Sequence, residues 1–228
     1  MGHTVPELVP RRGDFAPWFA AGLGKREDDL LILDIEAGDG LPDVRDVSSA
    51  VISGSPAMLT EREPWSEATI AWTRDALNAE LPLLGVCYGH QVLAEAGGGE
   101  VGFHPAGREI GSVPIEVLPA GSEDPLFQWL PRRFVAQASH SQSVLRLPND
   151  AEHLARGQQD LFQGFRLGPR AWGVQFHPEF DADIIKGYIR ARAKEIEAEG
   201  LNVPRLLQSA EDHPAPRRLL EMFARSYG

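Results

Sequence analysis

A short apolar run that ends at the chain's single cysteine constrains this sequence most. The apolar residues Leu83–Val86 predict a buried strand, and the apolar positions of residues 89–96 recur at helical spacing. Cys87 therefore lies at a corner between a strand and a helix. Gly85 and Gly89 flank it at two residues on either side, as in the G-x-nucleophile-x-G elbow of hydrolases. A strained turn leaves no room for Cβ atoms on the residues beside the nucleophile, and glycines have none.

The corner favours a reactive thiol. The thiolate is the nucleophilic form of cysteine, and a neighbouring helix N-terminus stabilises that negative charge. The backbone N–H of Tyr88, the next residue, is placed to bind a developing oxyanion. The alternative is that Cys87 is a small buried apolar residue, which is the usual role of a lone cysteine.

A second apolar strand, predicted within residues 171–176, ends in the triplet His177-Pro178-Glu179. In an extended chain, residues i and i+2 face the same side, so His177 and Glu179 are expected to point to one place. A histidine oriented by a carboxylate is the base of many hydrolytic triads. The alternative is a surface turn at Pro178 with both side chains in solvent.

Together the two motifs, G-x-C-x-G-x-Q at residues 85–91 and His-Pro-Glu at residues 177–179, resemble those of the class I glutamine amidotransferases. The resemblance extends over about residues 30–188. Within the family, the chain resembles short stand-alone members and the glutaminase domain of GMP synthase. It implies a catalytic triad of Cys87, His177 and Glu179.

The resemblance also implies an oxyanion hole. In the family, a turn after an earlier strand supplies its second N–H donor, and that turn matches residues 51–56 of this chain, with Gly54 as the donor. Two N–H groups, from Gly54 and Tyr88, would then converge on the oxyanion. A Gly-Ser-Pro turn alone is weak evidence, because such residues also serve turn geometry.

The same resemblance implies which residues form the substrate pocket. Gln91 matches a glutamine that lines the family's pocket. Ser139, His140 and Ser141 match a segment whose backbone holds the α-amino and α-carboxylate ends of glutamine. His140 as a second catalytic base is the less favoured alternative, because His177 already has an orienting carboxylate.

The alternation of predicted strands and helices indicates one α/β domain over residues 1–228, with an open, mostly parallel, flavodoxin-like sheet and helices on both faces. The run Leu30–Asp34 is predicted to be one of its strands. The strand that opens related domains has no counterpart before the loop-like residues 2–6. Either the start of the chain lies downstream of the real one or another segment fills the sheet. The extension at residues 200–228 has no evident role.

Composition and motifs argue against several kinds of partner, location and cofactor. The formal net charge of −11 argues against nucleic acid as a partner, and no apolar run is long enough for a membrane span. The N-terminus lacks the apolar core of a signal peptide, and one cysteine fits a cytoplasmic location. No metal-ligand spacing, dinucleotide loop or ATP loop is present in the sequence, so no metal and no cofactor are expected.

These observations predict an enzyme that hydrolyses the side-chain amide of glutamine through a cysteine thioester and releases glutamate and ammonia. One alternative is a stand-alone hydrolase of γ-glutamyl peptides or conjugates that uses the same triad. A second is a regulatory or ammonia-supplying subunit that depends on a partner, for which a separate synthetase subunit is the candidate.

Overall fold

The computed structural model describes residues 3–228, which form a seven-stranded sheet, a two-stranded sheet and surrounding helices. The strands are β1 (Ala50–Ile52), β2 (Leu83–Val86), β3 (Glu100–Phe103), β4 (Glu109–Val117), β5 (Arg133–His140), β6 (Gln142–Arg146), β7 (Ala151–Gly157), β8 (Gly164–Leu167) and β9 (Ala171–Val174). The α-helices are α1 (Val9–Arg12), α2 (Phe15–Leu23), α3 (Pro64–Asn78), α4 (Tyr88–Ala96), α5 (Pro119–Glu123), α6 (Ala182–Ala191), α7 (Ala193–Ala198), α8 (Val203–Ser209) and α9 (Arg217–Tyr227).

The large sheet has the strand order β1-β2-β9-β8-β7-β4-β5. The pairs β1–β2 and β2–β9 are parallel, and the other four pairs are antiparallel. The α/β class is confirmed, and the sheet is mixed, with its parallel part limited to three strands. The physical reason is loop length: a parallel pair needs a long crossover such as α3, whereas β7, β8 and β9 follow one another through short turns.

The parallel strands carry the predicted cysteine and histidine to one edge of the sheet. All four residues of β2 and all four of β9 are buried, and Val86 lies opposite Val174. The pairing continues one residue beyond β2, because the Cys87 amide donates to the Val174 carbonyl at 2.8 Å. The carboxyl ends of parallel strands meet at the same edge, so Cys87 lies beside the segment that follows β9.

The predicted strand at Leu30–Asp34 is wrong, because this segment pairs with no other strand among the described residues. The side chains of Leu31 and Ile32 are 74% and 46% exposed, far from the burial expected of a parallel strand. A groove of about 580 Å³ separates the segment from β1, the edge strand of the sheet within the described range. An apolar run forms a strand only where a neighbouring strand pairs with its backbone, and no strand within residues 3–228 pairs with this one. Met1 and Gly2, the latter part of the predicted loop, lie outside the described residues.

The spacing of apolar residues in the sequence also predicts a helix over residues 14–23 capped by Asp14, one over residues 63–80 with Pro64 in its first turn, and one capped by Asp181, and the structure contains a helix at each place. Asp14 accepts a hydrogen bond from the Phe15 amide at the start of α2, which ends at the left-handed Gly24. Pro64 is the first residue of α3, and the Asp181 carboxylate caps α6 by accepting from Ile184. None of the described helices has the length and apolar character that crossing a bilayer requires.

The C-terminal extension is part of the packed core. Leu219, Leu220 and Phe223 of α9 are buried, and the ring of Phe223 meets the edge of Trp172 in β9 at 6.4 Å between centroids. The helix thereby covers β9, one of the two strands that carry the site.

A buried carboxylate joins the sheet to α5 and its following turn. Asp124 has a fully buried side chain, accepts hydrogen bonds from Trp172 Nε1 at 3.0 Å and from the amides of Leu126 and Phe127, and forms an ion pair with Arg166 Nε at 2.8 Å. We expect Asp124→Ala to lower the free energy of unfolding by about 3–5 kcal/mol, because it leaves these donors without an acceptor. Urea unfolding followed by tryptophan fluorescence measures this change.

The matched control is Asp150→Ala, at an exposed turn position, for which a change within about 0.5 kcal/mol is expected. Equal midpoints for the two variants would contradict the role assigned to Asp124.

Candidate active site

The backbone of Cys87 is strained in the manner of a nucleophile elbow. Its φ of +53° and ψ of −101° lie in a region that residues with a Cβ atom rarely adopt. A Cβ atom on Gly85 would lie 2.3 Å from the Gly89 carbonyl oxygen, and one on Gly89 would lie 2.1 Å from the carbonyl oxygen of Ile52. Both flanking glycines are therefore required by close backbone approach.

We expect Gly89→Ala to destabilise the fold by about 1–3 kcal/mol and to displace Cys87, because the clash is with the backbone of β1 and not with a flexible side chain. Thermal unfolding and the rate of Cys87 alkylation by iodoacetamide measure both effects. Gly40→Ala is the control, because a Cβ atom there meets no neighbour and its φ is not positive. Unchanged stability and alkylation in Gly89→Ala would show that the elbow tolerates a side chain.

The histidine and the glutamate of the second motif form a buried pair. Nδ1 of His177 lies 2.7 Å from Oε1 of Glu179, with side-chain exposures of 3% and 0%. The imidazole stacks on the ring of Phe180, with centroids 3.9 Å apart, and lies parallel to Phe15 at 6.5 Å. The pairing at Nδ1 leaves Nε2 as the nitrogen that is available to another group.

The thiol of Cys87 and the imidazole of His177 are close enough to shift each other's protonation. Burial alone would raise the pKa of the Cys87 thiol, but the positive charge of His177 and a hydrogen bond to it lower that pKa below its usual value. Burial alone would lower the pKa of His177, but the charges of Glu179 and Cys87 raise it to about 10. Both shifts favour the thiolate–imidazolium form of the pair, and the thiolate is the nucleophilic form of cysteine.

This charge state predicts a distinctive pH profile for alkylation by neutral iodoacetamide. A free thiol loses about tenfold in rate per pH unit below a pKa of about 8.5, whereas for Cys87, with its lowered pKa, the loss of rate should begin at a lower pH than for a free thiol. We expect His177→Gln to move the fall in rate to higher pH, because the thiolate then lacks its counter-charge. Glutathione is the control thiol. A Cys87 profile that coincides with that of glutathione would contradict the ion pair.

The two predicted oxyanion donors lie at the same edge of the sheet. The Tyr88 amide is in the first turn of α4, where amides have no acceptor within the helix. The Tyr88 hydroxyl points away and donates to Ser66 Oγ at 2.6 Å. Gly54 lies against the imidazole: a Cβ atom there would be 3.1 Å from Cε1 of His177.

The structure brings seven of the nine predicted residues to the rim of one cavity. They are Cys87, Tyr88, Gln91, Ser139, His140, Ser141 and His177. Gly54 and Glu179 contact the same site through His177. Gln91 is buried, and its Nε2 donates to the carbonyl of Gln142 at 2.8 Å, so it braces the turn that leaves β5.

His140 belongs to a second buried histidine–carboxylate pair. Its Nε2 lies 3.1 Å from Glu109 Oε2, its Nδ1 lies 3.0 Å from the carbonyl of Gln142, and Gln163 donates to the same Glu109 oxygen at 2.7 Å. Burial would lower the pKa of His140, but a hydrogen bond to Glu109 and the charges of Asp160, Glu109 and Cys87 together hold that pKa above its usual value. Both ring nitrogens are thus occupied within the protein, which leaves the backbone of this turn to face the cavity.

Sequence reasoning missed three residues that line the cavity, Phe15, Arg108 and Arg192. It also missed Phe180, which stacks on His177, and Glu109, which pairs with His140. Phe180 directly follows the His-Pro-Glu motif, which is a usable signal. The others are far from the motifs in sequence. Among the described residues, no group of three or more His, Cys, Asp or Glu side chains is arranged to hold a metal ion.

Comparison with known proteins assigns the family. Residues 33–190 match the family model described as "Glutamine amidotransferase class-I". The chain belongs to this family. Among solved structures, a glutamine amidotransferase from Thermotoga maritima is 28% identical with a TM-score of 0.71, and the alignment covers 85% of this chain and 84% of that one. A glutamine amidotransferase from Methylobacillus flagellatus superimposes with a TM-score of 0.76 over 98% of this chain and 88% of that chain, at 24% identity.

Curated relatives of this amidotransferase are glutamine-hydrolysing GMP synthases. One from Aeropyrum pernix is 39% identical over 142 residues, which cover 62% of this chain and 25% of the relative. A glutamine-hydrolysing GMP synthase subunit from Methanopyrus kandleri is 34% identical over 155 residues, covering 65% of this chain and 78% of that relative. This chain thus spans about a quarter of the first relative and most of the second.

Proposed function

We propose that this amidotransferase hydrolyses the side-chain amide of glutamine to glutamate and ammonia, with Cys87 as nucleophile. The observation that carries the proposal is the convergence on one cavity of a thiol on a strained corner and an imidazole paired with a buried carboxylate. Nucleophilic catalysis requires these groups: a nucleophile, a base beside it and a third group that orients the base.

In the first half of the reaction, the Cys87 thiolate attacks the side-chain carbonyl carbon of glutamine. The negative charge moves to the carbonyl oxygen, where the amides of Gly54 and Tyr88 stabilise it. The imidazolium of His177 then gives its Nε2 proton to the leaving nitrogen, so that ammonia departs and a γ-glutamyl thioester remains on Cys87.

In the second half, neutral His177 takes a proton from water, and the resulting hydroxide attacks the thioester. The thiolate leaves as the C–S bond breaks, and the imidazolium is restored beside it. Glu179 accepts from Nδ1 throughout, which fixes the tautomer and stabilises the charged ring. Glutamate is released, and one water has been consumed.

The first test is Cys87→Ser. We expect glutamate release to fall by at least about 10³-fold, because serine lacks the ionised nucleophile that His177 supports. A coupled glutamate assay under saturating glutamine measures the rate, and an unchanged melting temperature shows that the variant folds. Ser122→Ala, at an exposed position of α5, is the control. Full activity in Cys87→Ser would end the proposal.

The same chemistry supports a second candidate, the hydrolysis of γ-glutamyl peptides or conjugates. The guanidinium of Arg192 in the cavity lining favours a substrate that carries a carboxylate, whereas that of Arg108 is already paired with Glu199. Turnover of glutamine and of γ-glutamyl dipeptides by the same preparation separates the candidates: faster cleavage of the dipeptides favours the second.

The relatives that are named as single subunits of GMP synthase support a third element of the proposal, a separate synthetase subunit that receives the ammonia. A partner-dependent subunit would be inactive alone and active in the complex. Assaying glutamate release with and without a co-purified synthetase subunit distinguishes this case from an independent hydrolase.

A further inference from the structure

The turn that follows β9 places an aromatic ring against the imidazole of His177. His177 and Phe180 are the first and last residues of this four-residue turn, in which the Phe180 amide donates to the His177 carbonyl at 3.4 Å. Pro178 occupies the second position, which suits its fixed φ. The turn brings the two rings into a stack, with centroids 3.9 Å apart and planes inclined by 12°.

The ring of Phe180 is held in place by two helices. Trp18 of α2 meets it edge-on at 5.7 Å between centroids, and Tyr188 of α6 packs on it at 5.0 Å. Trp18 is itself fixed by a hydrogen bond from its Nε1 to the carbonyl of Arg12 at 2.7 Å, and the Tyr188 hydroxyl bonds to Thr4 Oγ1 at 2.8 Å. The ring is 6% exposed, so it is a fixed support for the imidazole.

An aromatic face distinguishes the two protonation states of the imidazole stacked on it. The face of a phenyl ring carries partial negative charge and attracts a cation within about 6 Å of its centroid, more strongly where water is excluded. The side chain of His177 is 3% exposed, and its ring lies well within that distance. The stack therefore favours the charged form of His177 over the neutral form.

Other charged groups also act on His177, and they come from several elements around the cavity. The titratable or charged side chains are Cys87, Arg108, His140, Glu179, Tyr188 and Arg192. From α2, the uncharged ring of Phe15 lies parallel to the imidazole at 6.5 Å. Because Phe180 is uncharged, a substitution at position 180 leaves all of these groups in place and changes only what stacks on the imidazole.

We propose that Phe180 is a positioning residue for His177. Its ring holds the imidazole at the angle at which Nδ1 meets Glu179, and its face stabilises the charged form that gives a proton to the leaving group. Phe180 acts through His177 and does not touch the reacting atoms. This role rests on the cysteine chemistry proposed above and adds to the triad a residue outside it.

The test is a titration of His177 by NMR, followed at Cε1 in protein with ¹³C-labelled histidine. It is carried out in Cys87→Ser protein, in which no thiolate titrates together with the imidazole. The signal that is lost in His177→Gln identifies His177 among the seven histidines. We expect Phe180→Leu to lower the pKa of His177 by about 0.5–1.5 units, because leucine has no aromatic face. Phe180→Tyr keeps the face and should retain the original pKa.

A second substitution keeps the shape of the ring and removes its charge pattern. In Phe180→pentafluorophenylalanine, the fluorine atoms withdraw electron density from the ring face, so we expect the pKa of His177 to fall at least as far as in Phe180→Leu. This variant decides the question if Phe180→Leu does not fold.

The control is Phe127→Leu, at a buried phenylalanine that does not line the cavity. It should lower the melting temperature and leave the pKa of His177 as it was. A pKa that is unchanged in Phe180→Leu or in the pentafluorophenyl variant would overturn the proposal. A fall in Phe180→Tyr equal to that in Phe180→Leu would do so too.

Kinetics separate this inference from the proposed hydrolysis. The titration needs no turnover, so a protein that releases no glutamate refutes the hydrolysis while the titration still decides the role of Phe180. With turnover, Phe180→Leu in the otherwise unsubstituted protein should lower kcat by about 3–10-fold and leave KM nearly unchanged, because the ring acts on the proton donor and not on the substrate. An unchanged kcat, with or without a raised KM, would overturn the positioning role.

Discussion

The parallel pairing of β2 with β9 is the constraint on which the site depends. Four successive residue pairs hold the two strands in register, and the Cys87 amide extends the ladder by donating to Val174 at 2.8 Å. Because parallel strands end at a common edge, the thiol and the residues after β9 have to meet there. β1 pairs in parallel with β2 on the other side and brings Gly54 to the same edge. A shift of register by one residue would point the side chains of either strand to the opposite face.

The site concentrates charge in a place from which water is largely excluded. His177 and Glu179 are almost fully buried, and Cys87 is 5% exposed. An unpaired charge would be very unfavourable at such a position, so charges on Cys87, His177 and Glu179 are favoured only as a mutually stabilising set. A second buried pair, Glu109 with His140, holds the opposite wall through contacts to the backbone. Both histidine rings are thereby held by hydrogen bonds within the protein.

Local patterns predicted the elements around the site well, because their causes are local. Gly85 of the elbow, the cap at Asp14 and the proline that begins α3 each act within a few residues of the element they define, whereas Gly89 makes room for Ile52 of β1. The strand predicted at Leu30–Asp34 was wrong for the converse reason: its apolar residues meet the requirement for a strand, but hydrogen bonding needs a neighbour that the described residues do not supply. The mixed character of the sheet likewise depends on how short turns fold β7 and β8 back onto β9.

The sequence by itself determined which residues are candidates for the site and the local geometry around them, because a cysteine between two glycines and a histidine two residues before a glutamate constrain their own backbone. It did not determine what surrounds them. The tertiary structure alone decided the burial of Cys87, His177 and Glu179, and it placed the ring of Phe180 against His177. It also formed the Glu109–His140 pair and brought Arg192 to the cavity. These contacts join residues from separate elements, and their charges and pKa values follow from burial and from neighbours that no local pattern encodes.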